Sequence, residues 1–168
     1  MTDPIKDQLE VADWQPLSEN GLVASWVLSG VDLGTPRAAR ALVMAVCCMW
    51  RVGRELRRDV EIVTSELVTN AVLHARRPEV EEAVVTVTVQ LTAHDLWLAV
   101  VDQGADAGGL ARREPAHDEP GGRGLLLVEA LTTRCEVVSG VGGTRVRVGF
   151  ALPHRREDDG PVEVADVP

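Results

Sequence analysis

One short segment limits the fold more than any other. Ala83–Thr92 (AVVTVTVQLT) alternates apolar and polar side chains, the period-2 pattern of a strand with one face buried. His94-Asp95 reads as a turn and Leu96–Val101 as the next strand, so the two runs predict an antiparallel hairpin. A sheet built on that hairpin has an apolar face that other elements must cover.

The rest of the chain supplies them. Gly21–Ser29 (GLVASWVLS) reads as a strand. Thr35-Pro36 is a helix start, with threonine as N-cap and proline at the first helical position. That helix runs through AARALVMAVCCMW to about Trp50, and Val52-Gly53 breaks it. A second helix covers roughly Glu55–Ala75, closed by Pro78. After the hairpin comes a long polar stretch, Asp102–Arg123, punctuated by glycines and prolines. Loops of that length are uncommon in compact domains unless they work as lids or binding loops. Gly124–Leu131 is a short apolar helix, and Cys135–Ser139 and Thr144–Leu152 are strands joined by Gly140-Val141-Gly142-Gly143. The order β-α-α-β-β-loop-α-β-β predicts an α+β fold: a two-layer α/β sandwich with a mixed, mostly antiparallel sheet and helices on one face. The expected organisation is a flexible N-terminal arm over 1–18, one domain over 19–153 with a lid at about 103–123, and a disordered acidic tail over 154–168.

Composition narrows the function classes. Apolar residues make up 45% of the 168, which suits one globular core. A net charge of −9 argues against a partner bound by neutralising nucleic-acid phosphates. No apolar stretch approaches the length of a membrane span. Met1–Glu10 carries Asp3, Asp7 and Glu10 without an apolar core, unlike a signal peptide, so a cytoplasmic protein is expected. Lys6 is the only lysine and lies in the terminal arm, which disfavours a mechanism built on a catalytic lysine. Cys47, Cys48 and Cys135 form no CxxC and have no histidine at finger spacing, so they read as reduced thiols.

Four stations carry chemistry. On the second helix, Val60, Ile62, Val63, Leu67, Val68, Ala71, Val72 and Leu73 make an element apolar nearly all round. Glu66 and Asn70 lie one turn apart, on the same face as Ile62 and Leu73. An acid and an amide turned inward need a partner, and a hydrated metal ion is one that suits them: the amide offers a neutral oxygen and the carboxylate can take a proton. The helix alone leaves open that both face water beside Glu61 and Ser65. Asp102 follows an apolar strand directly and is followed by Gln103-Gly104. A carboxylate there can accept from an exocyclic amine, or can be an ordinary turn aspartate. Gly121-Gly122-Arg123-Gly124 precedes an apolar helix, where glycines and the helix N-terminus favour phosphate and Arg123 can add a bidentate contact. The spacing matches neither a dinucleotide-binding fingerprint nor a Walker loop, and a hinge before a packing helix is the alternative. Gly142-Gly143-Thr144 is explained by a hairpin turn, with a pocket-lining role for the Thr144 hydroxyl as the functional alternative.

Taken together and in order, these stations resemble the GHKL (Bergerat-fold) ATPases. Glu66-Leu67-Val68-Thr69-Asn70 resembles their E-x-x-x-N box, Asp102-Gln103-Gly104 their first glycine box, Gly121–Gly124 the second, and Gly143-Thr144 the late G-T element. SELVTNAVLHA (Ser65–Ala75) and GGRGLLLVEAL (Gly121–Leu131) resemble most closely the anti-sigma-factor serine kinases of the RsbW/SpoIIAB type, in their single-domain actinobacterial form. The resemblance spans roughly Gly21–Leu152. It implies ATP and Mg²⁺ as cofactors, Glu66 as general base, Asn70 as the Mg²⁺ ligand, and Asp102 reading the adenine amine with help from Gly104. It further implies Gly122, Arg123 and Gly124 at the phosphates and Thr144 lining the base pocket, with His74 left as structure. The implied partners are a sigma factor and a STAS-type anti-sigma antagonist phosphorylated on serine, with homodimers a possibility in this branch. One departure stands out: the usual D-x-G-x-G is followed here only as far as Gly104, since Ala105-Asp106 come next. It motivates the alternative of a non-catalytic, nucleotide-gated binding module.

Overall fold

A computed structural model describes residues 21–75, 83–102, 122–140 and 143–152. The predicted arm, Pro78, residues 103–121 of the lid with Gly104 among them, and the tail lie outside the described residues, while Gly122 and Arg123 of the predicted lid open a helix. The element order is β1 (Leu22–Ser29), α1 (Thr35–Met49), α2 (Arg54–Ala75), β2 (Val84–Leu91), β3 (Asp95–Asp102), α3 (Gly122–Leu131), β4 (Arg134–Gly140) and β5 (Gly143–Ala151), as the sequence pattern predicts. The strands form one sheet in the order β1-β2-β3-β5-β4. Every pairing is antiparallel, so the mixed sheet expected from the sequence is corrected to an antiparallel one among the described residues. The physical reason is connectivity: two of the neighbouring pairs, β2–β3 and β4–β5, are joined by turns too short for a parallel crossover.

The register explains the core. Val87 pairs with Trp26 and Val100, and Val100 with Val146; one step along, Val89 pairs with Leu98 and Leu98 with Val148. These residues share one face of the sheet because side chains alternate. That face joins Ala39, Val43 and Cys47 of α1, Val60, Val63, Leu67, Val68, Ala71 and Val72 of α2, and Val128 of α3 in a single apolar cluster with Phe150. The helices therefore form the second layer on this side.

The opposite face is organised around Trp97. Arg147 stacks its guanidinium 4.2 Å from the ring centroid and Arg134 approaches to 5.4 Å. Gly149 leaves room for the ring, since a Cβ there would meet its carbons at 3.0 to 3.2 Å. Burial pulls the Arg147 guanidinium below its ordinary pKa, and Glu136, 3.9 Å away, pushes the other way.

The ends of α1 differ in one respect from expectation. Thr35 is the first helical residue, and Gly34 occupies the cap position with no side-chain cap. The Thr35 hydroxyl instead donates to the Ser29 carbonyl at 2.6 Å, tying the helix start to the end of β1. At the other end Val52 N–H bonds the Cys47 carbonyl and Arg51 N–H the Cys48 carbonyl, a Schellman closure. Arg51 takes the left-handed position at φ 55, which glycine fills more easily. Among the described residues, no helix is long and apolar enough to cross a membrane.

Candidate functional site

The site is built from α2. Its buried stripe is Val60, Val63, Thr64, Leu67, Val68, Ala71 and Val72, spaced by threes and fours as one face of a helix requires. Glu66 and Asn70 fall on the edge of that stripe and are half-buried. Ile62 and Leu73, on the same line, are 39% and 57% exposed. The helix is thus amphipathic rather than apolar all round. Its acid–amide pair lies on a flank instead of pointing into the core, because the sheet covers only one stripe.

What meets that flank is α3. A Cβ placed on Gly124 would overlap Glu66 Oε2 and stand 3.9 Å from Asn70 Nδ2. The fold therefore brings the second glycine-rich motif onto the acid and the amide of the first. Gly122 and Arg123 form the start of the same helix, and the Arg123 side chain lies outside what is described.

α2 is also held from α1. Arg40 Nη1 donates to Ser65 Oγ at 3.1 Å, and its Nε lies 3.8 Å from Glu61 Oε1. Ser65 Oγ in turn donates to the Glu61 carbonyl at 2.9 Å. Arg40 is absent from the motifs read in the sequence, and nothing in α1 distinguishes it from Arg37 before the helices are packed.

Asp102 ends β3 on the helix-facing side, in line with Val100 and Leu98. It is 7% exposed, and Oδ1 accepts the backbone N–H of Thr144 at 3.0 Å across the β3–β5 pair. A buried carboxylate is tolerable only when it is hydrogen-bonded, and it can accept about four such bonds. Thr144 is thus joined to Asp102 directly, as the register pairs them. Gly104 and the rest of the first glycine box lie outside the described residues.

The donor set fits magnesium. Among the described residues no three acidic, histidine or cysteine side chains converge into a metal cage. Mg²⁺ does not need one, since it is commonly held by one or two protein oxygens with phosphate and water completing the octahedron. Asn70 beside Glu66 offers that kind of partial site. The buried Asp102 fits an amine donor such as adenine's.

Comparisons with known proteins bear on the family and the fold. The family model for the histidine kinase-like ATPase domain matches residues 31–150. No curated protein matches the chain. Among solved structures, the RsbU and RsbW domains of Rv1364c from Mycobacterium tuberculosis superpose with a TM-score of 0.60 at 21% identity. That match covers 80% of this chain and 34% of the other, so the present chain spans about a third of its length. A histidine kinase domain from the blue-light activated kinase of Erythrobacter litoralis aligns with a TM-score of 0.47 at 25% identity, over 58% of this chain and 45% of that one.

Proposed function

The chain belongs to the histidine kinase-like ATPase family, and on that footing we propose that it is an ATP-dependent serine kinase acting as an anti-sigma regulator. The observation that carries the reading is the convergence of Glu66, Asn70 and Gly124 at one place on the α2–α3 flank. The SELVTNAVLHA and GGRGLLLVEAL motifs support the anti-sigma branch, and the fold shared with a structure containing an RsbW domain is in keeping with it.

Bound ATP supplies the phosphoryl group, and its Mg²⁺ neutralises charge on the phosphates. The chain's own groups do the rest. Glu66 takes the proton of a seryl hydroxyl on the antagonist as that oxygen bonds to the γ-phosphorus and ADP leaves. Asn70 holds Mg²⁺ through its amide oxygen. Asp102 accepts from the adenine amine, with Gly104 beside it and Thr144 lining the base pocket. Gly122, Arg123 and Gly124 approach the phosphates at the start of α3. The partners are a sigma factor and a STAS-type antagonist.

The test is phosphate transfer. Incubation with Mg-ATP and a cognate antagonist is expected to label a serine on that antagonist, and Glu66→Ala is expected to abolish labelling while ATP still binds. Undiminished labelling by Glu66→Ala refutes the assigned base. Asp106, which follows Ala105 in the place of the usual second glycine, favours one other reading, a non-catalytic nucleotide-gated binding module. Tight ATP binding without transfer to any antagonist selects it.

A further inference from the structure

We infer that Gly124 is a positioning residue for the Glu66 carboxylate: the Cβ it lacks is the space in which Glu66 Oε2 sits. This deepens the reading of Glu66 as base and rests on it, because it names what in α3 sets that base.

Three observations carry the inference. First, Gly124 lies within α3, and its backbone is not left-handed, so no strained conformation calls for glycine there. Glycine inside a helix is otherwise a weak choice compared with alanine. Its reason is therefore space rather than backbone freedom. Secondly, the atom that fills the space is the far end of a flexible side chain. At Gly30 a Cβ would meet Ala83 at 2.9 to 3.0 Å, and at Gly149 it would meet the Trp97 ring, so those two glycines protect packing. At Gly124 an added methyl moves a carboxylate and leaves the fold alone. Thirdly, Asn70 Nδ2 stands 3.9 Å from the same point, an ordinary contact distance. A methyl at position 124 thus displaces the acid and spares the amide, which separates proton transfer from metal binding.

The experiment uses the full chain as wild type, Gly124→Ala, Glu66→Asp and the double variant, with Gly53→Ala as a control because a Cβ there meets nothing within 4 Å. The Glu66 carboxyl is followed by ¹³C NMR, its signal assigned by loss in Glu66→Gln. Mg-ATP affinity is taken from calorimetry, and transfer to the antagonist from initial rates against pH. In Gly124→Ala the Glu66 resonance shifts and Tm stays at or above the wild-type value. The transfer rate falls about 10–100-fold, the scale of a misplaced general base. Glu66→Asp withdraws the carboxylate by one methylene, so adding Gly124→Ala to it costs no further rate. An unmoved Glu66 signal in Gly124→Ala overturns the inference, as does a transfer rate left intact at saturating Mg-ATP. Should Glu66→Gln leave transfer unchanged, the base assignment fails on its own, while the NMR shift still decides whether Gly124 sets the carboxylate.

Discussion

Asp102 ties β3 to β5 and, in the proposed function, also reads the ligand. Its Oδ1 receives the Thr144 N–H at 3.0 Å in a place only 7% exposed. Asp102→Ala removes a charged acceptor and is expected to cost about 1.5–3 kcal/mol, read as a lower urea midpoint. Asp102→Asn keeps an acceptor for Thr144 while removing the charge. It is expected to keep the fold and to weaken ATP binding at least about tenfold by calorimetry, one bond's worth of about 1.4 kcal/mol or more. Cys47 makes a contrasting case. Burial first, and Cys48 second, push its thiol up to about 11, with Arg57 pulling weakly the other way. Well below pH 9 the thiol is protonated in both folded and unfolded chains, so it adds no pH dependence there. Above pH 9 the unfolded chain sheds a proton that the folded chain keeps, and stability falls as pH rises through about 11. Denaturation midpoints from about pH 8 to 11 check this, with Cys47→Ala expected to flatten that limb.

At the scale of elements, the joint between α1 and α2 is held by a Schellman closure with an arginine in the left-handed position. A side chain there costs about 1 kcal/mol that glycine avoids, so Arg51→Gly is expected to raise stability by about that amount in a urea titration. β5 shows the opposite use of glycine. Gly149 accommodates the Trp97 ring, which Arg147 covers, so Gly149→Ala is expected to lower stability by about 1–3 kcal/mol as the ring is pushed from its bed. The two variants move stability in opposite directions for one steric cause, and neither touches the α2–α3 flank.

For the molecule as a whole, the sheet is a platform whose helix-facing side carries the core and, at its end, the Asp102–Thr144 part of the candidate site. The row of Val89, Leu98 and Val148 builds packing, and the row that ends the strands carries Asp102 and Thr144. Ligand binding on such a platform stabilises the whole domain by mass action. Mg-ATP at about 100 times its Kd is expected to add about 2.7 kcal/mol, a rise in Tm of about 5–10 °C by scanning calorimetry. Asn70→Ala is expected to remove the part of that rise that depends on Mg²⁺. No rise with nucleotide in the wild type would count against both the kinase and the gated-module readings.

The local pattern of the chain was sufficient for the elements, because period-2 and helical spacings are written in consecutive residues: all eight appear in the predicted order with ends within a few positions. It also marked Glu66 and Asn70 as polar residues on a largely apolar helix, Asp102 as an acid at the end of a strand, and Gly124 as part of a glycine-rich segment before a helix. Tertiary structure decided what those residues do to one another. Whether α2 turned its acid–amide pair to the core or to a flank depended on how wide a stripe the sheet covers, which no helical wheel contains. That Gly124 comes against Glu66, that Asp102 meets Thr144, and that Arg40 braces Ser65 are contacts between distant segments. They arise from packing and register, and those are settled only when the layers close on each other.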